Sequence, residues 1–267
     1  MSAVPHRAAD VAADVLLPVT PALGVVLAVF LLAAAGIAAS ARLAQDGERS
    51  HARGVLTAGL RAAVQLAAVS WAIGWVVGAV PGLLAFLVLM YAVAVRTAGR
   101  RVTGNATWWW AALPIAAGVL PVVLVLLLTG LVPVRGITLI PVTGILIGGA
   151  LTATVLAGRG ALEALHTRRG EVEAGLAIGL PEREARLEIA RPAASGALIP
   201  GLDQTRTVGL VTLPGAFAGM LLGGASPVEA GAVQLFVLVA LMLVQTVAVA
   251  VVLELVARGR LHRDGDG

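Results

Sequence analysis

The sequence predicts an all-α polytopic membrane protein with about seven transmembrane helices. Of its 267 residues, 59% are hydrophobic and 13% are charged, whereas globular proteins carry about 25% charged residues. The mean hydropathy is +0.95, which leaves too little polar surface to cover a soluble domain of this length. Apolar runs of membrane length recur along the chain. Disordered, collagen-like and coiled-coil chains are excluded by the same composition.

Several kinds of chemistry are excluded by residue types that the chain lacks. It has no cysteine, so disulfides, thiolate metal sites and cysteine nucleophiles cannot form. It also has no lysine, and its nineteen cations are all arginine. The formal net charge is +4, but the arginines are scattered between apolar runs and form no single basic face. The sequence therefore predicts no nucleic-acid partner.

A helix needs about 20 apolar residues to cross a bilayer core, and seven segments satisfy or approach that length. The second and third could also form one hairpin around Gly78 and Pro81. Ala39-Ser40-Ala41 resembles a signal-peptide cleavage site, but the apolar run before it is longer than the ~7–15 residues of a signal sequence, so we expect a retained helix. The predicted spans are Val19–Ala39, Gly54–Val77, Pro81–Val95, Trp109–Leu128, Ile137–Ala157, Val208–Gly223 and Val228–Val256.

The arginines predict the orientation. One set of loops and the C-terminal tail hold nearly all of them, whereas the other side holds only Arg7 and Arg135. By the positive-inside rule, the N-terminus lies outside and the C-terminus in the cytoplasm, which agrees with an odd number of spans. The arginines assigned to the cytoplasm are Arg42, Arg49, Arg53, Arg96, Arg100, Arg101, Arg159, Arg168, Arg169, Arg183, Arg186, Arg191, Arg206, Arg258, Arg260 and Arg263.

The polar stretch 158–207 is the one long cytoplasmic segment of this prediction. Its pattern predicts a helix to Arg169, a break at Gly170, a helix to Gly179, and a further helix from Leu180-Pro181 to Ile189. Proline and early acidic residues are typical of a first helical turn. A solvated linker is the alternative, but a linker rarely keeps apolar residues at helical spacing. We therefore expect this segment to be packed.

The same stretch resembles the EAA signature of ABC-transporter permeases. That signature has Glu-Ala-Ala, three residues, Gly, nine residues, then Ile, one residue, Leu and Pro. Two positions differ here, Gly175 for the second Ala and Arg191 for the Leu. In that family the segment forms a short coupling helix that docks on the ATPase. The resemblance assigns ATPase coupling to Glu173, Ala174, Gly179, Pro181, Ile189 and Pro192.

Proline and glycine interrupt the fifth and sixth predicted spans. The carbonyl groups that a proline leaves unpaired need protein or a wet cavity around them, so these breaks are candidates for a substrate path. Glycines spaced by four residues let helices approach closely, and helix packing alone is an equally good interpretation. Candidate path residues are Pro141, Thr143, Gly144, Thr212, Pro214, Gly215 and Met220, and candidate packing residues are Gly148, Gly219 and Gly223.

Few other polar residues lie in the predicted spans. Arg61 and Gln65 share one face of the second span, although an arginine near the cytoplasmic end more often extends to the headgroups. None of the four histidines falls in a span. Asp203 and Arg206 are spaced to pair with each other. The three tryptophans at 108–110 are expected to anchor the fourth span at the interface.

Two shorter motifs and one long block identify the chain as a member of the FetB-like permease family. The block is A197-L-I-P-G-L-D-Q-T-R-T-V-G-L-V-T-L-P-G215, and the motifs are P141-V-T-G and R61-A-A-V-Q-L. The resemblance implies a seven-helix permease with a separate ATP-binding subunit. One bacterial member is assigned to iron export, and plant relatives are linked to aluminium tolerance. The metal ligands are unknown; with no cysteine and no membrane histidine they would be oxygens or methionine sulfur.

The leading interpretation is thus a single permease domain over 1–267 with a cytoplasmic coupling segment at 158–207. It is a multi-pass subunit of the cell membrane, not an enzyme, and exports a metal ion, iron, with ATP on a partner ATPase. The chain has no G-x-x-x-x-G-K-[ST] loop and is predicted to bind no cofactor itself. Two copies would form a symmetric homodimer. An ion-gradient-driven secondary transporter or channel is the alternative, and an importing direction stays open because EAA-like patterns are more usual in importers.

Overall fold

The computed structural model describes residues 20–41, 44–45, 49–76, 80–130 and 136–264. The chain divides into two compact units, Met1–Trp75 and Val76–Gly267. In the first unit, α1 (Pro21–Ser40) and α2 (His51–Val76) flank two antiparallel strands of two residues each, β1 (Ala44–Gln45) and β2 (Arg49–Ser50). Apart from these strands, the described chain is helical, which confirms the predicted all-α class.

The second unit contains the helices that form the main core. In chain order they are α3 (Val80–Val102), a 3-10 helix (Ala106–Ala111), α4 (Ala112–Leu128), α5 (Gly136–Thr167), α6 (Arg169–Ala177), α7 (Glu182–Ser195), a short 3-10 turn (Gly196–Leu198), α8 (Ile199–Thr207), α9 (Gly215–Leu222) and α10 (Pro227–Ala257). The long helices α5 and α10 pack against each other, α3 packs on α5, and α4 packs mainly on α10. Buried Leu, Val, Ile and Ala side chains fill the spaces between them.

Six helices of the described chain are long and apolar enough to cross a membrane: Pro21–Ser40, His51–Trp71, Val80–Val102, Ala106–Leu128, Thr138–Thr167 and Pro227–Ala257. This confirms a multi-pass membrane protein. The first predicted span coincides with α1 to within two residues at each end, so that segment is a helix as expected.

The predicted sixth span differs from the structure, because Val208–Gly223 is not one continuous helix. Gly209 has φ +83°, Val208 forms a bridge with Thr212, and Pro214 precedes the eight-residue helix α9. Eight helical residues rise only about 12 Å. The count of seven membrane-length helices is therefore corrected to six in the described chain. A glycine with positive φ followed by a proline stops the helix that the hydropathy pattern alone predicts.

The boundaries inside the coupling segment also shift. α5 runs on past the predicted span to Thr167, within two residues of the predicted helix end at Arg169, and the break falls at Arg168 instead of Gly170. α7 continues to Ser195, beyond the predicted end at Ile189. Arg168 caps the next helix: its carbonyl oxygen accepts a hydrogen bond from the Glu171 amide at 3.0 Å, and its guanidinium pairs with the Glu171 carboxylate. The break thus coincides with a backbone turn at Arg168 and a local ion pair beside it.

Candidate functional site

A helix–turn–helix on the polar segment forms the candidate docking site, and a glycine makes its turn possible. α6 ends in a Schellman motif, in which the Gly179 amide donates to the Leu176 carbonyl at 2.9 Å and the Leu180 amide to the Gly175 carbonyl at 3.1 Å. Gly179 has φ +92°, a conformation that residues with a Cβ rarely adopt. Pro181 then ends the turn, and α7 begins at Glu182.

Gly175, one of the two departures from the EAA signature, lies where α6 meets α7. A Cβ atom at position 175 would lie 3.2 Å from the Cβ of Ala185 and 3.4 Å from Cδ1 of Leu180. Both distances are at or below ordinary van der Waals contact, so a larger residue would push the two helices apart. The glycine therefore lets the turn close tightly in this chain.

The turn at 176–180, called the docking turn below, presents apolar side chains on the surface of the described chain. Ile178 is 81% exposed, and Leu176 and Leu180 are also exposed. Exposed apolar residues at the end of a polar hairpin are typical of a surface that binds another protein. The predicted coupling residues that lie on or beside this turn and are exposed are Glu173, Ala174, Gly179 and Pro181.

The opposite face of α7 is packed onto the membrane helices. Ala185, Leu187, Ile189 and Ala190 are buried, and α7 contacts both α5 and α10. Ile189 is thus a packing residue, whereas Pro192, also predicted for coupling, is exposed within α7. The docking turn is therefore mounted on a helix that is fixed against the bundle.

Ion pairs hold the segment at several points. Arg168 pairs with Glu171 at 2.5 Å, Arg169 with Glu173 at 3.1 Å, and Glu182 with Arg186 at 2.5 Å. The hydrogen bond from Arg168 lowers the pKa of the Glu171 carboxyl. Arg183 forms a longer-range bidentate pair with Glu254 at the end of α10. The predicted Asp203–Arg206 pair is present, with 3.3 Å between Oδ1 and Nη1.

A cavity of about 330 Å³ lies behind the docking turn. Its walls come from α5, α6, α7, the end of α10 and the tail that follows α10. The tail is fixed by Asn105, whose Nδ2 donates to the carbonyl oxygen of His262 at 2.9 Å, and by the buried side chain of Leu261. Leucine and valine side chains line part of the cavity, and its charged or imidazole-bearing lining residues are His166, Arg169, Glu173, Glu182, Arg186 and His262.

The residues predicted for a substrate path fall into two groups. On α5, Pro141 is exposed, Thr143 is buried, and Gly144 is close enough to Met90 that a Cβ would lie 2.9 Å from the methionine Cε. Between α8 and α9, the carbonyl oxygen of Thr212 accepts a hydrogen bond from the Gly209 amide at 2.9 Å. Pro214 caps α9, Gly215 begins it, and Met220 is half-buried within it.

The glycines predicted to pack do not meet another helix in the described chain. No neighbouring atom lies within 4 Å of the position that a Cβ would occupy at Gly148 or Gly219, and Gly223 meets only atoms of the preceding turn. Other glycines make the close contacts, because Gly118, Gly149 and Gly201 all face α10. A role for Gly148, Gly219 and Gly223 in contacts between two copies stays a prediction.

Three buried oxygen atoms lack a hydrogen-bond partner in the described part of the chain: Thr143 Oγ1 and Thr154 Oγ1 on α5, and Gln234 Oε1 on α10. Sequence reasoning missed Gln234, although a glutamine within the apolar run of the last span was a signal that could have found it. The two polar residues predicted to lie within a span, Arg61 and Gln65, are exposed on α2.

No cluster of three or more His, Asp or Glu side chains suited to a metal ion occurs among the described residues.

The tryptophans at 108–110 lie in the 3-10 helix that leads into α4. Trp109 and Trp110 stack with their centroids 4.2 Å apart. The guanidinium of Arg100 lies 5.8 Å from the Trp108 ring centroid, and that of Arg260 lies 5.4 Å from the Trp110 ring centroid. These cation–π contacts join α3 and the tail to the start of α4.

Comparison with known proteins gives one family and several relatives. Residues 22–260 match the family described as "Uncharacterised protein family (UPF0014)". The UPF0014 membrane protein STAR2 of Oryza sativa subsp. japonica is 35% identical over 214 residues, which is 78% of this chain and 72% of that protein. The protein ALUMINUM SENSITIVE 3 of Arabidopsis thaliana is 37% identical over 58% of this chain and 57% of its own length. The "Probable iron export permease protein FetB" of Escherichia coli (strain K12) is 28% identical over 53% of each chain. No solved structure matches.

Proposed function

The chain belongs to the UPF0014 family of membrane proteins, and on that premise we propose that it is the permease subunit of an ABC transporter that exports a metal ion, iron, with a separate ATPase. One observation carries the proposal: the exposed apolar turn at 176–180 stands on a helix that packs against both α5 and α10. Such an arrangement can bind a soluble subunit and pass its movement to the membrane helices. The family relative named as an iron export permease supports the substrate.

In this proposal the separate ATPase subunit binds the ATP. The permease contributes the docking turn, and the partner contributes nucleotide binding and hydrolysis. Glu173, Ala174, Gly179 and Pro181 shape or flank the docking turn, while Ile189 keeps α7 on the bundle. Two copies, each with its own ATPase subunit, would form a two-fold symmetric transporter.

We further propose that residues 199–222 form a seventh, discontinuous crossing made of α8, a non-helical middle and α9. A Cβ at Gly201 would overlap Oε1 of Gln245, so the start of α8 lies at the level of Gln245. α9 ends in a turn that leads into the capping box of α10 at Ser226. Between Pro227 and Gln245, α10 rises about 27 Å, close to the ~30 Å thickness of a bilayer core.

Seven crossings agree with an N-terminus outside and a C-terminus in the cytoplasm. Non-helical backbone at membrane depth occurs where it is buried in protein or lines a cavity with water. The segment 208–213, which contains Thr212, would thus lie near the substrate path. Pro214, Gly215 and Met220, which follow it in the chain, would lie near the path as well. Hydroxyl and carbonyl oxygens and a methionine sulfur could then contact a passing cation.

The docking proposal is tested by purifying the tagged protein from its own membranes in mild detergent and identifying co-purifying subunits by mass spectrometry. We expect an ATPase in the wild-type sample and its loss from Ile178→Glu and Glu173→Lys. Glu188→Lys is the matched control, since Glu188 is also an exposed glutamate but lies further along α7, outside the turn. Retention of the ATPase by both docking variants would contradict the role of the turn. A pure permease that carries substrate without any ATPase would favour the gradient-driven transporter.

The topology is tested in a background that has no cysteine. Single cysteines replace Ala225 at the proposed outer turn and Ala177 at the docking turn, and intact cells are treated with a membrane-impermeant maleimide. We expect labelling at 225 in intact cells and at 177 only after the membrane is opened. Equal protection of both positions would contradict the seventh crossing.

A further inference from the structure

Arg183 and Glu254 join the coupling segment to the last membrane helix by two hydrogen bonds. Arg183 Nη2 lies 2.6 Å from Glu254 Oε2, and Arg183 Nε lies 2.8 Å from Oε1. The two residues are 71 positions apart in the chain. Arg258, one turn further along the chain from Glu254, donates to the same Oε1. One carboxylate is therefore held by two guanidinium groups, one from α7 and one from the C-terminal cap of its own helix.

The two core helices are connected to the coupling segment in different ways. α5 runs directly through Arg168 into α6, so any displacement of the segment reaches α5 through the main chain. α10 is separated from α7 in sequence by α8 and α9, and side-chain contacts must supply its connection. Arg186 on α7 also lies close to Gly259, two residues after the end of α10, since its Nη1 is 3.1 Å from the position that a Cβ would occupy there.

We propose that Arg183 is a positioning residue whose bidentate contact with Glu254 carries movement of the docked coupling segment to α10. The inference rests on the proposed function. A bidentate arginine–carboxylate pair fixes orientation as well as distance, and so adds a directional contact to the apolar packing between α7 and α10. Lysine offers a point charge without the planar pair of donors.

The exposure and position of the Arg183–Glu254 pair favour a role in transmitting movement over a role in stabilising the fold. The Arg183 and Glu254 side chains are 46% and 32% exposed, and ion pairs with such exposure contribute little to stability. The hydrogen bond to Glu254 raises the pKa of Arg183, and an arginine is in any case charged throughout the physiological range. Arg183 also lies in the first turn of α7, directly after the docking turn, where displacement by a bound ATPase would be largest.

The experiment uses the complex of permease and ATPase in proteoliposomes, with Fe²⁺ as the transported ion and ATP on the ATPase side. The measured quantity is Fe²⁺ moved per ATP hydrolysed. We expect Arg183→Gln to lower this ratio about fivefold or more, the lower end of typical coupling effects, while ATP hydrolysis and ATPase co-purification persist. Arg183→Lys should lower the ratio less than Arg183→Gln does, and Glu254→Gln, which removes the charge from the other side of the pair, should lower it as Arg183→Gln does.

Arg263→Gln is the matched control, because it breaks another long-range ion pair, with Glu163 at 3.1 Å, outside the docking turn. It should leave the ratio unchanged. A wild-type ratio in Arg183→Gln would overturn the inference, and so would an equal loss in Arg263→Gln. If Arg183→Gln folds poorly, Glu254→Gln decides the same question, and a wild-type ratio in that variant would also overturn the inference. Wild-type vesicles without ATP-driven transport would overturn the proposed function itself, an outcome visible before any variant is compared.

Discussion

Gly118 of α4 lies directly against the main chain of α10 at Val244. A Cβ atom at position 118 would lie 2.8 Å from the carbonyl oxygen of Val244 and 3.2 Å from its Cγ1. Helix backbones this close need a residue without a side chain, and in a bilayer such close packing is a main source of helix association. The contact fixes α4 on α10 in the centre of the second unit.

Gly118→Ala should therefore destabilise the protein. Overpacking against a main-chain atom typically costs about 1–3 kcal/mol, because the carbonyl cannot rotate away as a side chain could. The measurement is the melting temperature in detergent, with Gly231→Ala on α10 as the control, since no neighbouring atom lies within 4 Å of the Cβ position there. Alanine at 231 should be neutral or slightly stabilising through helix propensity. Equal melting temperatures for both variants would contradict the close contact.

Gly99→Ala should be more damaging than Gly118→Ala. A Cβ at position 99 would overlap the Trp108 carbonyl oxygen and lie 3.0 Å from the Trp108 Cα, so the 3-10 helix before α4 would have to move away from α3. The expected result is a large loss of folded, monodisperse protein in size-exclusion chromatography. Gly104→Ala is the control, in the loop between α3 and the 3-10 helix, with nothing within 4 Å. Normal yield of Gly99→Ala would show that the 3-10 helix can shift at little cost.

Thr154→Val should leave the melting temperature unchanged or raise it. The Thr154 side chain is fully buried, and its Oγ1 has no hydrogen-bond partner in the described chain. A buried polar atom without a partner costs about 1–3 kcal/mol, and valine has nearly the same shape. Thr103→Val is the comparison, since Thr103 Oγ1 donates to the Gly99 carbonyl at 3.3 Å. A marked loss of stability in Thr154→Val alone would indicate a bound water or ion at the hydroxyl.

The Glu171 carboxyl should remain ionised to lower pH than an ordinary glutamate. The Arg168 hydrogen bond lowers the pKa of Glu171 below an unfolded-state value of about 4.3. Any stabilisation from the pair is thus fully present above that value and is lost as the pH falls through the lowered pKa. Carboxyl ¹³C chemical shifts of the labelled protein in nanodiscs measure the titration, and Arg168→Gln should return the Glu171 pKa towards its ordinary value. An unchanged titration in that variant would contradict the pairing.

Gly179→Ala should weaken docking without disturbing the membrane helices. Residues with a Cβ are strained at the φ of +92° found at Gly179, so the Schellman turn would open and move Ile178. The expected result is weaker co-purification of the ATPase with an unchanged melting temperature. Gly170→Ala, inside α6 with nothing within 4 Å, is the control and should co-purify normally. Full co-purification of Gly179→Ala would show that docking does not depend on the shape of this turn.

Several features followed from the sequence because they depend on local or averaged properties. Hydropathy averaged over about 20 residues predicted the helical membrane class, and six long helices confirm it. The Gly179-Leu180-Pro181 sequence predicted the end of α6 and the start of α7, since positive φ and a missing amide are local requirements. The Asp203–Arg206 pair likewise followed from spacing on one helix.

The tertiary structure decided the features that depend on which surfaces meet. The small-residue spacing of Gly148, Gly219 and Gly223 shows where helices can approach but not which helix lies opposite, and in the described chain other glycines make the inter-helix contacts. The Arg183–Glu254 pair joins residues 71 apart, and no periodicity links them. The sequence by itself thus determined that the protein lies in a membrane and which segments are helical, since both depend on short-range properties of the chain. Packing alone decided how the coupling segment connects to α10, since that depends on contacts between distant segments.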